Sequence, residues 1–274
     1  MRVLVTSEKD IASLTIRECL IEKYGFTPTD DIFDNNPIYA NQDGTLLVMS
    51  AQDLIYTDYL DEHFNAEVYI FCSRHRAESG KPALLVHSTG NLSDEASFGG
   101  IPRRLSVSTA SLVAVALKQL QYERDQRGLD EFDVTMEATH HGPTAMDTPM
   151  LFIELGSDEG NWKHTEGASA VAAAAMKCAL SVFEEDAFIG FGGTHYVSKF
   201  NRLVLEKNIR IGHIAPKYAL DNITEDIVRL MIDRSTEKIR TAVIDWKGTN
   251  SIQRAKLLPI LESLGIELVR AKQI

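Results

Sequence analysis

The chain has 274 residues, is 44% hydrophobic and carries a formal net charge of −11. Its length fits one large α/β domain with a substantial core, the composition excludes disordered and fibrous classes, and the acidic balance leaves nucleic acid bindable only through a local basic surface. The cysteines Cys19, Cys72 and Cys178 are widely spaced, odd in number and free of any C-x-x-C pair, which excludes a disulfide framework or thiolate zinc site. Any metal would therefore rest on histidine and carboxylate.

No stretch approaches the roughly 18 to 20 apolar residues that cross a bilayer. The first residues, MRVLVTSEKD, read as a strand in place of a signal-peptide core, so a cytoplasmic protein is expected. RVLVTS predicts a buried strand, followed by a helix that Ser7 would cap, with Asp10 three residues on, closing by Gly25. Further strands are predicted at TLLVMS, EVYIFCS, ALLVHS, VTMEAT, MLFIELG, AFIGFGG and TAVIDW, mostly continuous apolar runs suited to strands covered on both faces. A helix is predicted to begin near Ser106 to Ser108, with Leu112, Val113, Ala116, Leu117 and Leu120 in one stripe; GASAVAAAAMKCAL (167 to 180) predicts a buried one. The alternation predicts a three-layer α/β fold, a mixed, mostly parallel sheet with helices on both faces, formed as a single domain over residues 1 to 274.

Six of the eight histidines fall just past these runs: His75, His87, His140, His141, His195 and His213. If the strands are parallel neighbours, their carboxyl ends share one edge and the imidazoles converge in a cleft. Imidazole both titrates near neutrality and binds zinc, and Glu137, Asp147, Glu154 and Glu166 are available to complete a coordination sphere, orient a ring or act as a base. His140 and His141 are adjacent, so both can face one cleft only if their strand has already ended, which Gly142-Pro143 favours.

A second constellation, SFGGIPRRLSVSTASL (97 to 112), offers Gly99 and Gly100 for close backbone approach, Arg103 and Arg104 as cations, and hydroxyls from Ser106 onward at a helix start: an anion cradle, without P-loop spacing. Phe98, Trp162, Tyr196 and Phe200 stand beside basic residues, as a single-stranded nucleic-acid end requires.

Taken together, SRH (73 to 75), HSTGN (87 to 91), FGGIPRRLSVS (98 to 108), EATHHGPT (137 to 144), IELGSDEGNW (153 to 162), GFGGTHY (190 to 196), GHIAPKY (212 to 218) and DWKG (245 to 248) resemble the archaeal-type D-aminoacyl-tRNA deacylases, in order along most of the chain. The resemblance implies a phosphorylase/hydrolase-like α/β fold, a monomer, and a zinc-dependent esterase that frees a D-amino acid from the 3′-terminal adenosine of tRNA. Ser198 departs from the proline expected there in many relatives. One or two zinc ions are expected on His75, His87, His140 and His195, with His141 a further candidate. Glu137, His140, His141 and Glu154 are the expected catalytic groups, and Arg103, Arg104, Ser106, Trp162 and His213 the expected substrate contacts. A zinc carboxypeptidase or amidohydrolase, or a non-enzymatic tRNA-end binding module, would use the same residues otherwise.

Overall fold

Every run predicted above as a strand is one in the computed structural model, which describes residues 1–274. In chain order the elements are β1 (Arg2–Ser7), α1 (Ile11–Lys23), β2 (Thr27–Phe33), β3 (Asn36–Ala40), β4 (Leu46–Ser50), α2 (Leu60–His63), β5 (Val68–Arg76), β6 (Ala83–His87), β7 (Val107–Ser108) and α3 (Ala110–Arg127). They continue with β8 (Asp133–Met136), β9 (Pro149–Ser157), α4 (Glu159–Trp162), α5 (Thr165–Ala179), β10 (Asp186–Phe191), α6 (Ser198–Lys207), β11 (Ile211–Ala215), α7 (Glu225–Asp233), β12 (Lys238–Ile244), α8 (Ser251–Ser263) and β13 (Glu267–Arg270). No helix is long and apolar enough to cross a membrane.

The strands form two mostly parallel sheets with helices on both sides, the α/β class expected. The larger has nine strands in the order β2-β3-β4-β1-β5-β9-β6-β8, with β7 beside β9; the smaller is β11-β10-β12-β13, parallel throughout. Strand alternation sorts the larger sheet's side chains. Ile70, Cys72, Leu84, Val86, Leu151 and Ile153 face α1, α3 and α5 in one core, which also takes Ile211, Ile214 and Val243 from the second sheet. Phe71 and Phe152 point the opposite way into a smaller core against Leu54, Leu60 and Phe64.

Two local readings are corrected. Helix α1 is capped by Asp10, whose carboxylate accepts the Ser13 N–H at 3.0 Å, while Ser7 Oγ donates to the Gln52 carbonyl at 2.7 Å. Strands β2 and β3, too polar to be read as strands, form a hairpin because Asp34 and Asn35 adopt φ of 49° and 63°, the left-handed pair of a tight turn. The expectation of parallel neighbours also needs correction: β6 runs antiparallel to β9, so His87 lies opposite Phe152 in mid-strand and not at the edge where β5 ends.

Candidate active site

The imidazoles nonetheless meet, by a different route. On the face of the larger sheet that carries Phe71 and Phe152, alternation also places Ser73, His75 and Glu154, and His87 enters beside them from β6. Beyond β8 the chain has left the sheet: Glu137 bridges to Tyr196, His140 bridges to Thr89, and His141 adopts φ 44°, in the left-handed region. That turn aims both adjacent rings inward, with centroids 4.3 and 4.8 Å from that of His87. His195 arrives from the loop after β10, in the second sheet, its ring centroid 4.6 Å from that of His140. The centre thus sits where the two sheets meet, under a cleft of about 600 Å³ bordered by Asn91, Phe98, His140, His141, His195 and Tyr218.

Four rings are fixed in one tautomer. Nδ1 of His140 donates to the Ala138 carbonyl (2.8 Å), that of His141 to the Gly142 carbonyl (2.6 Å) and that of His87 to the Ser88 carbonyl (3.3 Å). Ser157 Oγ donates to the Lys81 carbonyl at 2.7 Å, so it accepts from His75 Nδ1 at 3.0 Å. In the neutral form of these rings Nε2 is a lone pair, the form that ligates metal, and the backbone carbonyls are the outer partners that orient such rings.

Glu137 is 2% exposed and lies at the centre. His195 Nε2 and His75 Nε2 approach its Oε1 at 2.9 and 3.2 Å, yet neither carboxylate oxygen receives an aligned hydrogen bond, and His87 Nε2 is equally unpartnered. Burial pushes the pKa of Glu137 up, but the imidazoles around it outweigh burial and hold the carboxyl well below its usual range. Burial, reinforced by neighbouring imidazoles, depresses His140 far below the usual histidine value and His141 to about 4, so both rings are neutral at pH 7. Burial lowers His75 and His87 too, but the Glu137 and Glu154 carboxylates more than offset it.

Buried, unpartnered donor atoms of this kind are costly unless something binds them. Three trios have ligand atoms within 4.8 Å of one another: His87, His140 and His141; Glu137, His140 and His195; His87, Glu137 and Glu154. Imidazole nitrogens with carboxylate oxygens, and no thiolate, suit zinc. His75, expected as a ligand, is in none of the trios; its Nε2 stands 3.2 Å from both Glu137 Oε1 and Tyr196 OH.

Several expected substrate contacts lie elsewhere. His213 is fully buried, with Nε2 between the Ser106 and Arg234 carbonyls at 3.2 Å each and Nδ1 against Thr139 Oγ1 at 3.3 Å, so no nitrogen is left for a substrate. Trp162 packs behind β5 and donates Nε1–H to the His75 carbonyl at 2.8 Å. The anion cradle is filled from within: Glu237 accepts the N–H groups of Ala110 and Ser111 at 3.1 and 2.7 Å, at the start of α3, and Ser106 Oγ donates to the Thr89 carbonyl. Arg103 bonds Thr224 Oγ1 at 2.8 Å, and Arg104 reaches the Ala145 carbonyl at 3.5 Å. Sequence reasoning missed Tyr218, whose OH lies 3.3 Å from His195 Nδ1, and Glu237, which no local pattern marks.

Imidazoles and carboxylates buried under a polar cleft where two α/β sheets meet are the groups that acid–base or metal-assisted chemistry uses. Residues 62–269 match the sequence profile of the D-aminoacyl-tRNA deacylases. The D-aminoacyl-tRNA deacylase of Thermococcus onnurineus is 35% identical over 279 residues, covering 98% of this chain and all of that protein; that of Methanocaldococcus jannaschii is 33% identical, covering 98% of each. The crystal structure of AF0625, a conserved protein of unknown function, superposes with a TM-score of 0.91 at 29% identity, over 100% of this chain and 96% of its own. The chain belongs to the D-aminoacyl-tRNA deacylase family, and as a member it is a hydrolase acting on ester bonds.

Proposed function

We propose that the protein, acting as a monomeric single-domain enzyme, hydrolyses the ester between a D-amino acid and the 3′ end of tRNA, releasing both. The observation that carries this reading is an ionised, buried Glu137 beside the neutral rings of His140 and His141 under the cleft, in a chain of this family.

The donor set fits zinc, with His87, His140 and His141 as its holders; the other two trios each share a residue with this set, so a single ion is favoured. Zinc, when bound, acts as a Lewis acid and lowers the pKa of water toward about 7. Glu137 Oε1, wedged between His75 and His195, is placed to take the proton of the attacking water. Glu154 is held by Ser73 Oγ, which donates at 2.7 Å, and faces His87 Nε2 at 3.7 Å, where it borders the same donor set. Phe98, 71% exposed at the rim, is positioned to stack on the terminal adenine.

The test offers D-Tyr-tRNA and L-Tyr-tRNA to the purified protein, as isolated and after chelation. Release of the D-amino acid alone, lost on chelation and regained with zinc, is expected. Equal release of both, or full D-activity after verified metal removal, would overturn the proposal. Glu137→Gln keeps the volume and is expected to cost at least about 100-fold in kcat/KM.

A further inference from the structure

With the start of α3 capped by Glu237 and Arg103 bonded to Thr224, a further candidate anchor for the phosphates of an RNA end lies on the second sheet. All four of its strands are parallel, so the loops after β10, β11 and β12 gather at one carboxyl edge, the position at which α/β sheets bind ligands. There they enclose a pocket of about 340 Å³ walled by Gly193, Thr194, Lys199, Lys217, Asp245 and Lys247. Three cations face one carboxylate in a chain whose net charge is −11. Asp245 is committed, paired with Lys199 and accepting the Lys247 N–H at 3.2 Å. The ammonium groups of Lys217 and Lys247 form no ion pair or hydrogen bond with the protein, and no side chain caps the amide groups that open α6 into the same space.

The pocket adjoins the cleft through two peptide bonds: Thr194 precedes His195, and Lys217 precedes Tyr218, both cleft residues. The pocket and the cleft are therefore built on the same two loops, those after β10 and β11.

We infer that this pocket binds a backbone phosphodiester of the RNA strand whose terminal nucleoside occupies the cleft, with Lys217 and Lys247 as the contacting cations. The inference rests on the proposed tRNA substrate but is measured without turnover. Binding of labelled, uncharged tRNA is followed by fluorescence anisotropy across a salt series, for the parent protein and for K217A/K247A. Both side chains are exposed, so the variant's melting temperature is expected to match the parent's. The variant is expected to bind at least about tenfold more weakly at low salt, with its log K against log salt slope shallower by about 0.7, the value for one single-strand phosphate contact. Transfer RNA trimmed of its last three nucleotides is expected to bind both proteins alike.

Unchanged affinity and slope would overturn the inference. So would inorganic phosphate raising the parent's melting temperature but not the variant's while RNA binding is equal, since the pocket would then serve free phosphate. If binding falls as stated but D-aminoacyl ester is not cleaved, the functional reading fails and the pocket assignment stands; the converse result separates them the other way.

Discussion

His213 makes a quantitative prediction about acid stability. Burial is the main cause that pushes its pKa down to about 4 from an ordinary 6.5, with Arg234 adding repulsion and two backbone carbonyls offsetting part of the shift. The unfolded chain therefore binds a proton at pH values where the folded protein does not, so this residue's contribution to stability is full above about pH 6.5 and is lost as pH falls toward about 4. The whole window is worth about 3 kcal/mol, and the interval from about pH 7.5 to about pH 5 accounts for about 2 kcal/mol of it. His213→Gln removes the titration. Its stability at neutral pH is expected to be lower, because an amide cannot reproduce the ring's packing and its bonds to Thr139, Ser106 and Arg234 together, but its decline on acidification will be smaller by that amount. The assay is urea unfolding of parent and variant at both pH values, both proteins stripped of metal so that the other imidazoles titrate alike in each. Parallel losses in the two proteins would refute the assignment.

Three further outcomes follow from the geometry. Glu237→Gln leaves the N–H groups of Ala110 and Ser111 without their charged acceptor and is expected to cost about 2 kcal/mol in denaturant unfolding, with no gain in RNA affinity. Gly142→Ala would place a Cβ 2.3 Å from Gly100 N and 2.7 Å from Ile55 O, so the loop bearing His141 must shift. Zinc affinity, measured against a chelator, should fall by about tenfold or more, as expected when a ligand is displaced. Trp162→Phe keeps the ring behind β5 but removes its bond to the His75 carbonyl; kcat should fall while the KM for tRNA stays, and a raised KM would return Trp162 to the substrate surface.

The sequence shows the strands because burial on both faces leaves continuous apolar runs, and it shows the histidines because they interrupt those runs. It also shows that His140 and His141 can face one cleft only beyond a strand end, as the left-handed His141 turn achieves. What it does not show is direction: nothing in ALLVH states that β6 runs against β9, and so the expected common edge is in fact the seam between two sheets. Partners distant in sequence were equally hidden. Glu237, 126 residues from Ser111, fills a helix start that looked free, and the carbonyls that silence His213 come from positions 106 and 234. Trp162 looked exposed among polar neighbours because its acceptor, the His75 carbonyl, lies on another strand.

The seam also sets an order of events during synthesis. The larger sheet is complete once Ser157 has been made, so His75, His87, His140 and His141 can be brought together on the growing chain. Yet Ala138 N–H is held by the His195 carbonyl at 2.9 Å and Thr139 N–H by the Ile214 carbonyl at 3.0 Å, contacts that exist only after the second sheet has emerged and docked. The clasp that fixes the loop of His140 and His141 therefore comes from a later part of the chain than the loop it holds, and a chain ending before Ile214 lacks it.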